Sequence, residues 1–418
     1  MSEEAKPISP FQKTIVMLGC FDTKGADFEY LYTLLKALNP NISTINMGVL
    51  GTTDLFPVDY EAQEVAQRGG SELHELRLKE DRSHAIKIMG KGAAKIVAQL
   101  QAQDKVQGII GMGGGGGTYM ALTAMKALKL GIPKLCLSTI ATKDLSSHIG
   151  AKDISLMPSI VDVAGLNSIS RIMIRQAAGA ITGMVNSTEV DTLDNTKSIA
   201  KSIAISVFGN TTLCVDHCTE QLKSKGYDVL SFHSVGVGGI TMESLTMEGC
   251  FDAILDITTT ELADELCGGI CSAGSDRLKA GSTMGIPQVI APGCLDMVNF
   301  GPMDTVPEKY KNRHLYSWGP DVTLMRTNKE ENRILGKIIA ERINRSEGPV
   351  TVLLPLGGLS KIGAVDGVFY APETDRELFN AIRENVHSGI QIKEVNANIN
   401  TVDFAREAVK SMLEILEN

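Results

Sequence analysis

Long apolar runs, basic clusters and aromatic side chains are all scarce in this chain, and each scarcity removes a class of function. No uninterrupted apolar stretch approaches the ~20 residues that cross a bilayer. The opening MSEEAKPISPFQK is polar and has no apolar signal core. A soluble, cytoplasmic protein with no membrane partner is therefore expected. Lysine and arginine number 40 against 49 aspartates and glutamates, a formal charge of −9, and no basic patch stands out. Direct binding of nucleic acid needs such a patch and is not expected. Eight cysteines scattered over 418 residues make no disulfide framework. The pairs Cys214/Cys218 and Cys267/Cys271 stand one helical turn apart, but no companion histidine or cysteine sits at zinc-site spacing. Reduced, partly buried thiols are the simpler reading.

Familiar catalytic signatures are missing too. HExxH, GxSxG and the kinase catalytic loop are absent, and no Gly-Lys-Ser/Thr closes a Walker A loop. Glycine, by contrast, is plentiful at 41 residues, while tryptophan occurs once. That balance suits an α/β protein turning at many strand ends, and the length suffices for two or three domains.

The glycines concentrate at Gly111–Thr118, reading GMGGGGGT, after the apolar run Val106–Ile110 and before the helical-looking Tyr119–Leu128. A strand leading through consecutive glycines into a helix makes a phosphate cradle. Without Cβ atoms the backbone comes close to an anion, and the helix N-terminus adds partial positive charge. Thr118 is expected at the N-cap, with Gly113, Gly114, Gly115, Gly116 and Gly117 forming the loop. A plain turn or a tight packing site is the alternative.

Along the chain, strands are expected at Thr14–Leu18, Ile42–Met47, Val106–Ile110 and Lys134–Leu137, with helices from about Ala26 to Leu38, Asp81 to Gln103 and over 162–185. Residues 51–80 read as irregular. Polar residues 186–200 make the best linker. The pattern then restarts, with strands at Ser202–Phe208, Tyr227–Phe232, Ala253–Ile257, Gln288–Ala291 and Val350–Leu354, and a last helix, Val402–Leu416, returning to cover an edge. The expectation is two tandem Rossmann-like domains, doubly wound around mostly parallel sheets, at residues 1–190 and 200–418.

Ligands of such sheets sit outside the carboxyl ends of the strands. In the first half that nominates Asp22, Thr23 and Lys24, the glycine loop, and Ser138, Thr139 and Thr142. Lysine beside a cradle offsets phosphate charge, and hydroxyls hold phosphate oxygens or a Mg²⁺-bound water. Asp22–Gly25 reads equally as a helix cap, and Asn167 as ligand contact or packed amide. In the second half the nominees are His233, Thr258–Glu261, Asp276, Arg277, Asp296, Asn299 and Arg326. His233 precedes Ser-Val-Gly-Val-Gly-Gly, a second anion-nest-like turn. A lone histidine often serves only as a structural hydrogen-bonder, and Glu261 reads equally as a helix cap.

GCFDTKG, GMGGGGGT, AKDISLMPSIVDVAGLNSISR (151–171), FHSVGVGG, LDITTTELADEL, APGCLDMVNFG, VTLMRT and PLGGLS follow one another in this order. From about Lys13 to Ala405 the chain resembles an uncharacterised family related to the N-terminal ATP-binding domain of the tomato mosaic virus resistance protein. The resemblance implies two Rossmann-like domains, ATP in the first, and a homodimer. It implies nucleotide contacts from Asp22, Thr23, Lys24, Gly113–Thr118, Ser138 and Thr139. The chain departs from the family pattern at Asn46 (aspartate in relatives), at Thr142 and Lys143 (a Ser-Gly pair), at Leu356 (an acidic residue) and at Ser317-Trp318-Gly319 (a His-Asn sequence).

The expected function is an ATP-binding enzyme acting on a small-molecule substrate between the domains, by phosphoryl transfer or ATP-dependent hydrolysis. Lys24 and Mg²⁺ would offset phosphate charge, and His233, Asp296, Asn299 and Arg326 would supply catalytic groups. A non-catalytic nucleotide-dependent inhibitor module is the first alternative. A nicotinamide-dependent oxidoreductase is the second, disfavoured because the glycine loop follows the third strand rather than the first.

Overall fold

Runs such as Thr14–Gly19 (TIVMLG) and Val350–Pro355 (VTVLLP) are apolar on both faces, which is what a parallel strand covered by helices on both sides requires. The computed structural model describes residues 14–38, 41–187 and 200–417; the N-terminal tail and positions 188–199 of the expected linker lie outside the described residues. Contacts divide the chain into unit 1, Met1–Lys197, and unit 2, Ser198–Asn418.

Unit 1 contains strands β1 (Thr14–Gly19), β2 (Asn41–Asn46), β3 (Gly108–Gly113), β4 (Lys134–Ser138) and β5 (Ile154–Pro158). They form one parallel sheet in the order β2-β1-β3-β4-β5. Its helices are α1 (Phe21–Leu38), α2 (Ala62–Gly69), α3 (Leu73–Lys79), α4 (Arg82–Ala102), α5 (Gly115–Met125), α6 (Ser146–Ile149) and α7 (Ser168–Ser187). One face of the sheet packs Val16, Leu18 and Ile109 on α4 and α5, and the other packs Ile15, Met17 and Ile110 on α1 and α7. The strand order reverses between β1 and β3, opening a crevice at their carboxyl ends.

Unit 2 repeats the plan. Strands β6 (Ser202–Val207), β7 (Asp228–His233), β8 (Ala253–Thr258), β9 (Gln288–Gly293), β10 (Met297–Phe300), β11 (Leu315–Gly319), β12 (Val322–Arg326), β13 (Val350–Pro355) and β14 (Gln391–Val395) fall into two sheets. The larger is parallel throughout, in the order β14-β13-β9-β8-β6-β7, and reverses between β6 and β8. The smaller, β10-β12-β11, is antiparallel. The helices are α8 (Thr212–Ser224), α9 (Val237–Met247), α10 (Glu261–Cys267), α11 (Ala280–Met284), α12 (Lys329–Ile343), α13 (Pro372–Asn385) and α14 (Val402–Glu417). The two Rossmann-like sheets confirm the α/β fold class.

Several local expectations are corrected. Helix α1 begins at Phe21, with a break at Lys24 (φ −131°, ψ 26°), so the Asp22-Thr23-Lys24 turn is itself helical on its first side. The stretch 51–80 contains α2 and α3, because Val65 and Ala66 are buried against α4. Helix α7 starts at Ser168 rather than at 162, after Gly165 at φ 105°. Helix α14 covers a sheet face rather than an edge: Phe404, Ala408 and Val409 pack with Cys214 and Cys218 of α8.

The α2–α4 contact is close enough to test. A Cβ on Gly92 would stand 1.8 Å from the Val65 carbonyl oxygen. Alanine gains up to about 1 kcal/mol over glycine in a helix interior, but overlap with fixed backbone costs more. Gly92→Ala is expected to destabilise by about 1–3 kcal/mol net, read as a lower denaturation midpoint; a raised midpoint would show that the helices part freely.

Candidate functional site

A cavity of about 800 Å³ lies within unit 1 at the carboxyl ends of β1, β2, β3 and β4, where the strand order reverses. Asp22, Thr23 and Lys24 enter it after β1, Gly113 to Gly117 after β3, and Thr139 after β4. These nominees, far apart in sequence, are brought together.

The glycine run is not a loop. Gly113 ends β3, Gly114 is the N-cap (φ −77°, ψ −164°), and Gly115 to Gly117 form the first turn of α5. The first-turn amides have no intrahelical acceptor, and they lie in the cavity wall. Gly113 is needed for close approach, since a Cβ there would stand 3.1 Å from the Gly117 Cα; Gly115 faces open space. Thr118 is therefore not the N-cap. It is buried one turn in, and its hydroxyl lies 2.7 Å from that of Ser138 and donates to the Gly113 carbonyl (3.3 Å). Thr118 and Ser138 together brace the turn from beneath rather than line the cavity. Asn167 caps α7: its Oδ1 accepts from the amides of Ile169 (3.0 Å) and Ser170 (2.9 Å).

Positive charge on the wall comes from Lys24, Arg77 and Arg82. The Lys24 ammonium donates to the Val163 carbonyl, which pins its position, and Arg77 donates to the Val49 carbonyl. Arg82 reaches within 3.7 Å of the space a Gly116 Cβ would take. Asp22 ties the wall together by accepting from the amides of Thr23 (2.7 Å) and Leu50 (2.8 Å). The rest of the lining is apolar, with Met47, Val49, Leu50, Ile86, Met89 and Met120. Cys20 also faces the cavity, but burial, with help from Asp22, pushes its thiol up to about 12. It stays protonated and is no nucleophile at neutral pH. The arginines and the methionine wall carry no sequence signature; they sit in a charged stretch and in core-like runs.

Asn46 lies behind this wall. Its Oδ1 accepts from the amides of Phe21 (3.2 Å) and Gly48 (2.9 Å), and its Nδ2 donates to the Gly51 carbonyl (3.0 Å). An aspartate would lose that donor and face Glu61, so the departure bears on the turn after β2, not on a ribose contact. Thr142 and Lys143 are exposed turn residues outside the lining; Leu356 is half-buried against the unit 2 core. Trp318 is exposed on β11.

In unit 2 the second glycine turn is already filled. Glu261 Oε1 accepts from the amides of Gly236 (2.8 Å) and Gly239 (3.0 Å), so this nest holds the chain's own carboxylate. Arg277, fully buried, donates to Glu261 (2.6 Å) and forks onto both oxygens of Asp256 (2.6 and 2.8 Å), with Glu243 at 3.3 Å. Three carboxylates around one guanidinium hold it well above its ordinary pKa despite burial. Glu243 also accepts from the amides of Leu278 (2.6 Å) and Ala280 (2.7 Å). His233 is exposed, its ring 5.7 Å from that of Phe208.

Asp296, Asn299 and Arg326 are all buried. Asp296 accepts from Ser360 (2.6 Å), and burial raises its carboxyl above the ordinary range. Arg326 pairs with Asp375 (2.5 Å) and donates to the Phe369 carbonyl (2.8 Å). Asn299 donates to Asp264 (2.8 Å). Four buried atoms at the carboxyl ends of β6, β8 and β9 and on β10 have no hydrogen-bond partner: Asn210 Oδ1, Thr260 Oγ1, Asp296 Oδ1 and Asn299 Oδ1. Such orphans are costly, and they cluster near the place where the strand order of unit 2 reverses.

Fold and site together define a two-domain α/β protein with a polar-and-apolar ligand cavity at the switch point of its first domain. The chain belongs to the Uncharacterised protein family (UPF0261), whose N-terminal domain matches residues 13–190 and whose C-terminal domain matches 200–416. A UPF0261 protein of Clostridium tetani is 44% identical over 406 residues, covering 97% of this chain and 99% of the relative. One from Rhizobium meliloti is 38% identical, covering 96% and 99%. The ToMV resistance protein Tm-1(GCR237) of Solanum lycopersicum is 38% identical over 342 residues, covering 80% of this chain and 45% of that protein.

Asp264 offers a test of the buried polar packing. Burial lifts its carboxyl from the ordinary 3.8 to about 7, opposed by hydrogen bonds from Asn299 and Cys271. The folded chain therefore holds a proton that the unfolded chain releases, so this contribution is present at acid pH and declines as pH rises toward 7. One such proton gives a slope of about 1.4 kcal/mol per pH unit. Asp264→Asn is expected to remove it, because a carboxamide does not titrate, while a flipped Asn299 presents its orphaned Oδ1 to the new amide. Equal slopes in the two proteins between about pH 4 and 7 would show that Asp264 ionises freely.

Proposed function

We propose that this protein binds a nucleoside triphosphate, ATP, in the unit 1 cavity, and acts with it on a small-molecule substrate in the cytoplasm as a homodimer. One observation carries the reading: a single cavity presents free first-turn amides of α5, Lys24 and Arg82 beside a wall of Met47, Leu50, Met89 and Met120. Amides and cations suit a polyphosphate; an apolar wall suits a base. The glycine positions suit the fit, since Gly115 leaves open space where a side chain would intrude. Among the described residues no group of three or more His, Cys, Asp or Glu could hold a metal. Mg²⁺ would therefore arrive with the nucleotide, coordinated by phosphates and water.

In this reading Lys24 and Arg82 balance phosphate charge while the α5 amides fix the oxygens, and the nucleotide supplies a transferable phosphoryl group. The exposed His233 is the catalytic nominee that solvent reaches. A second reading, a nucleotide-dependent interaction module without turnover, is favoured by the burial of Asp296, Asn299 and Arg326 inside unit 2.

Thermal unfolding with ATP, ADP and NADH, each with and without Mg²⁺, tests the binding. Ligand at a hundred times Kd stabilises the native state by about 2.7 kcal/mol, which at roughly 2–4 °C per kcal/mol raises the unit 1 midpoint by about 5–10 °C. Lys24→Ala is expected to abolish most of that shift. Stabilisation by NADH but not by ATP would replace the reading with the nicotinamide-dependent one. Phosphate release from ATP that His233→Ala slows supports an enzyme; binding without release, indifferent to His233→Ala, supports the interaction module. Sedimentation at the mass of one chain would remove the dimer.

A further inference from the structure

A second, smaller pocket lies within unit 2, beside the Asp276-Arg277 segment. It encloses about 310 Å³ between α11 and the last turn of α12, and is lined by Ser275, Lys279, Thr283, Glu341, Arg342 and Arg345, among others. Three cations thus meet one carboxylate. Glu341 is held by Arg345 (2.8 Å), and Lys279 by Asp276 (3.0 Å). Arg342 stands apart from these pairs. Its Nη1 donates to the backbone carbonyl of Arg277 (2.6 Å), and no carboxylate pairs with it among the described residues. A half-buried guanidinium with no carboxylate in contact is uncommon, because more distant charges offset its desolvation only in part. Burial lowers its pKa from the ordinary value, helped by repulsion from Arg277 and opposed by the charges of Glu243, Glu341 and Glu265.

We propose that this pocket binds a small phosphate-bearing metabolite, with Arg342 and Arg345 gripping the phosphate and the hydroxyl of Ser275 completing its shell. Guanidinium groups present planar forks that match phosphate oxygens. Neither Ser275 nor the remaining donors of Arg342 have a partner among the described residues, so both are free to turn to a ligand. The volume accommodates a phosphate with a few attached carbons but is small for a nucleotide, which separates this site from the unit 1 cavity. Bound anion would also reach the buried centre of unit 2 through one bond, since the carbonyl that Arg342 holds belongs to Arg277.

Titration calorimetry of the full chain with inorganic phosphate at fixed ionic strength tests the proposal. The background carries Lys24→Ala and Arg82→Ala, which remove the cations of the unit 1 cavity. Saturable binding is expected to persist in that background and to weaken at least tenfold on adding Arg345→Gln. Arg345 is exposed, so its loss leaves folding intact. Arg342→Gln is expected to weaken it further, and far-UV circular dichroism checks that the chain still folds. Phosphate binding that disappears in the background alone, that ignores Arg345→Gln, or that is absent from the unmodified chain would overturn the proposal.

Discussion

Parallel strand pairing is the constraint from which the rest of this structure follows. Every neighbour in both large sheets runs the same way. Each connection must therefore cross back over a face, and all carboxyl ends meet at one edge of their sheet. At that edge strands stop, helices begin, and backbone amides are left without acceptors. Those amides need an acceptor, from the protein's own side chains, from water or from a ligand.

The two units answer that demand differently on the same topology. Unit 2 supplies its own anion. Glu261 fills the Gly236–Gly239 turn, Arg277 neutralises Glu261, and Asp256 and Glu243 in turn surround Arg277. Closure is so complete that a Cβ on Gly239 would overlap the Glu261 carboxylate at 2.1 Å. Unit 1 leaves its own glycine turn, which follows β3 rather than an edge strand, open to a cavity and places cations beside it. Breaking a buried network of this kind costs about 3–5 kcal/mol when one partner is removed. Unit 2 thus fills its glycine turn internally, though Asn210, Thr260, Asp296 and Asn299 each keep an orphaned oxygen, and the glycine turn of unit 1 is the one open to a ligand.

The cavity was legible where local rules act. Apolar runs ending in Asp22-Thr23-Lys24, in the glycines and in Ser138-Thr139 marked strand ends, and strand ends share an edge. The detail was less legible. Thr118 and Ser138 carry hydroxyls at the right places in sequence, yet they bond to each other beneath the turn. Asn167 caps a helix for the same reason that it resembled a ligand contact: a carboxamide before a helix accepts the first free amides. Asp296, Asn299 and Arg326 lie at strand ends, where catalytic groups are expected, but sequence gives no depth. Burial put each against a partner inside unit 2.

Alternation of strand and helix, the restart near residue 200 and the glycine turn after β3 all follow from local pattern, because they depend on periodicity and on the missing Cβ atoms. Tertiary structure alone decided that the glycines open a helix, that Arg82 and the methionines complete the cavity, and that Glu261 occupies the second turn. Those outcomes join residues from separate elements. Their free energy depends on burial and distance, which no local pattern encodes.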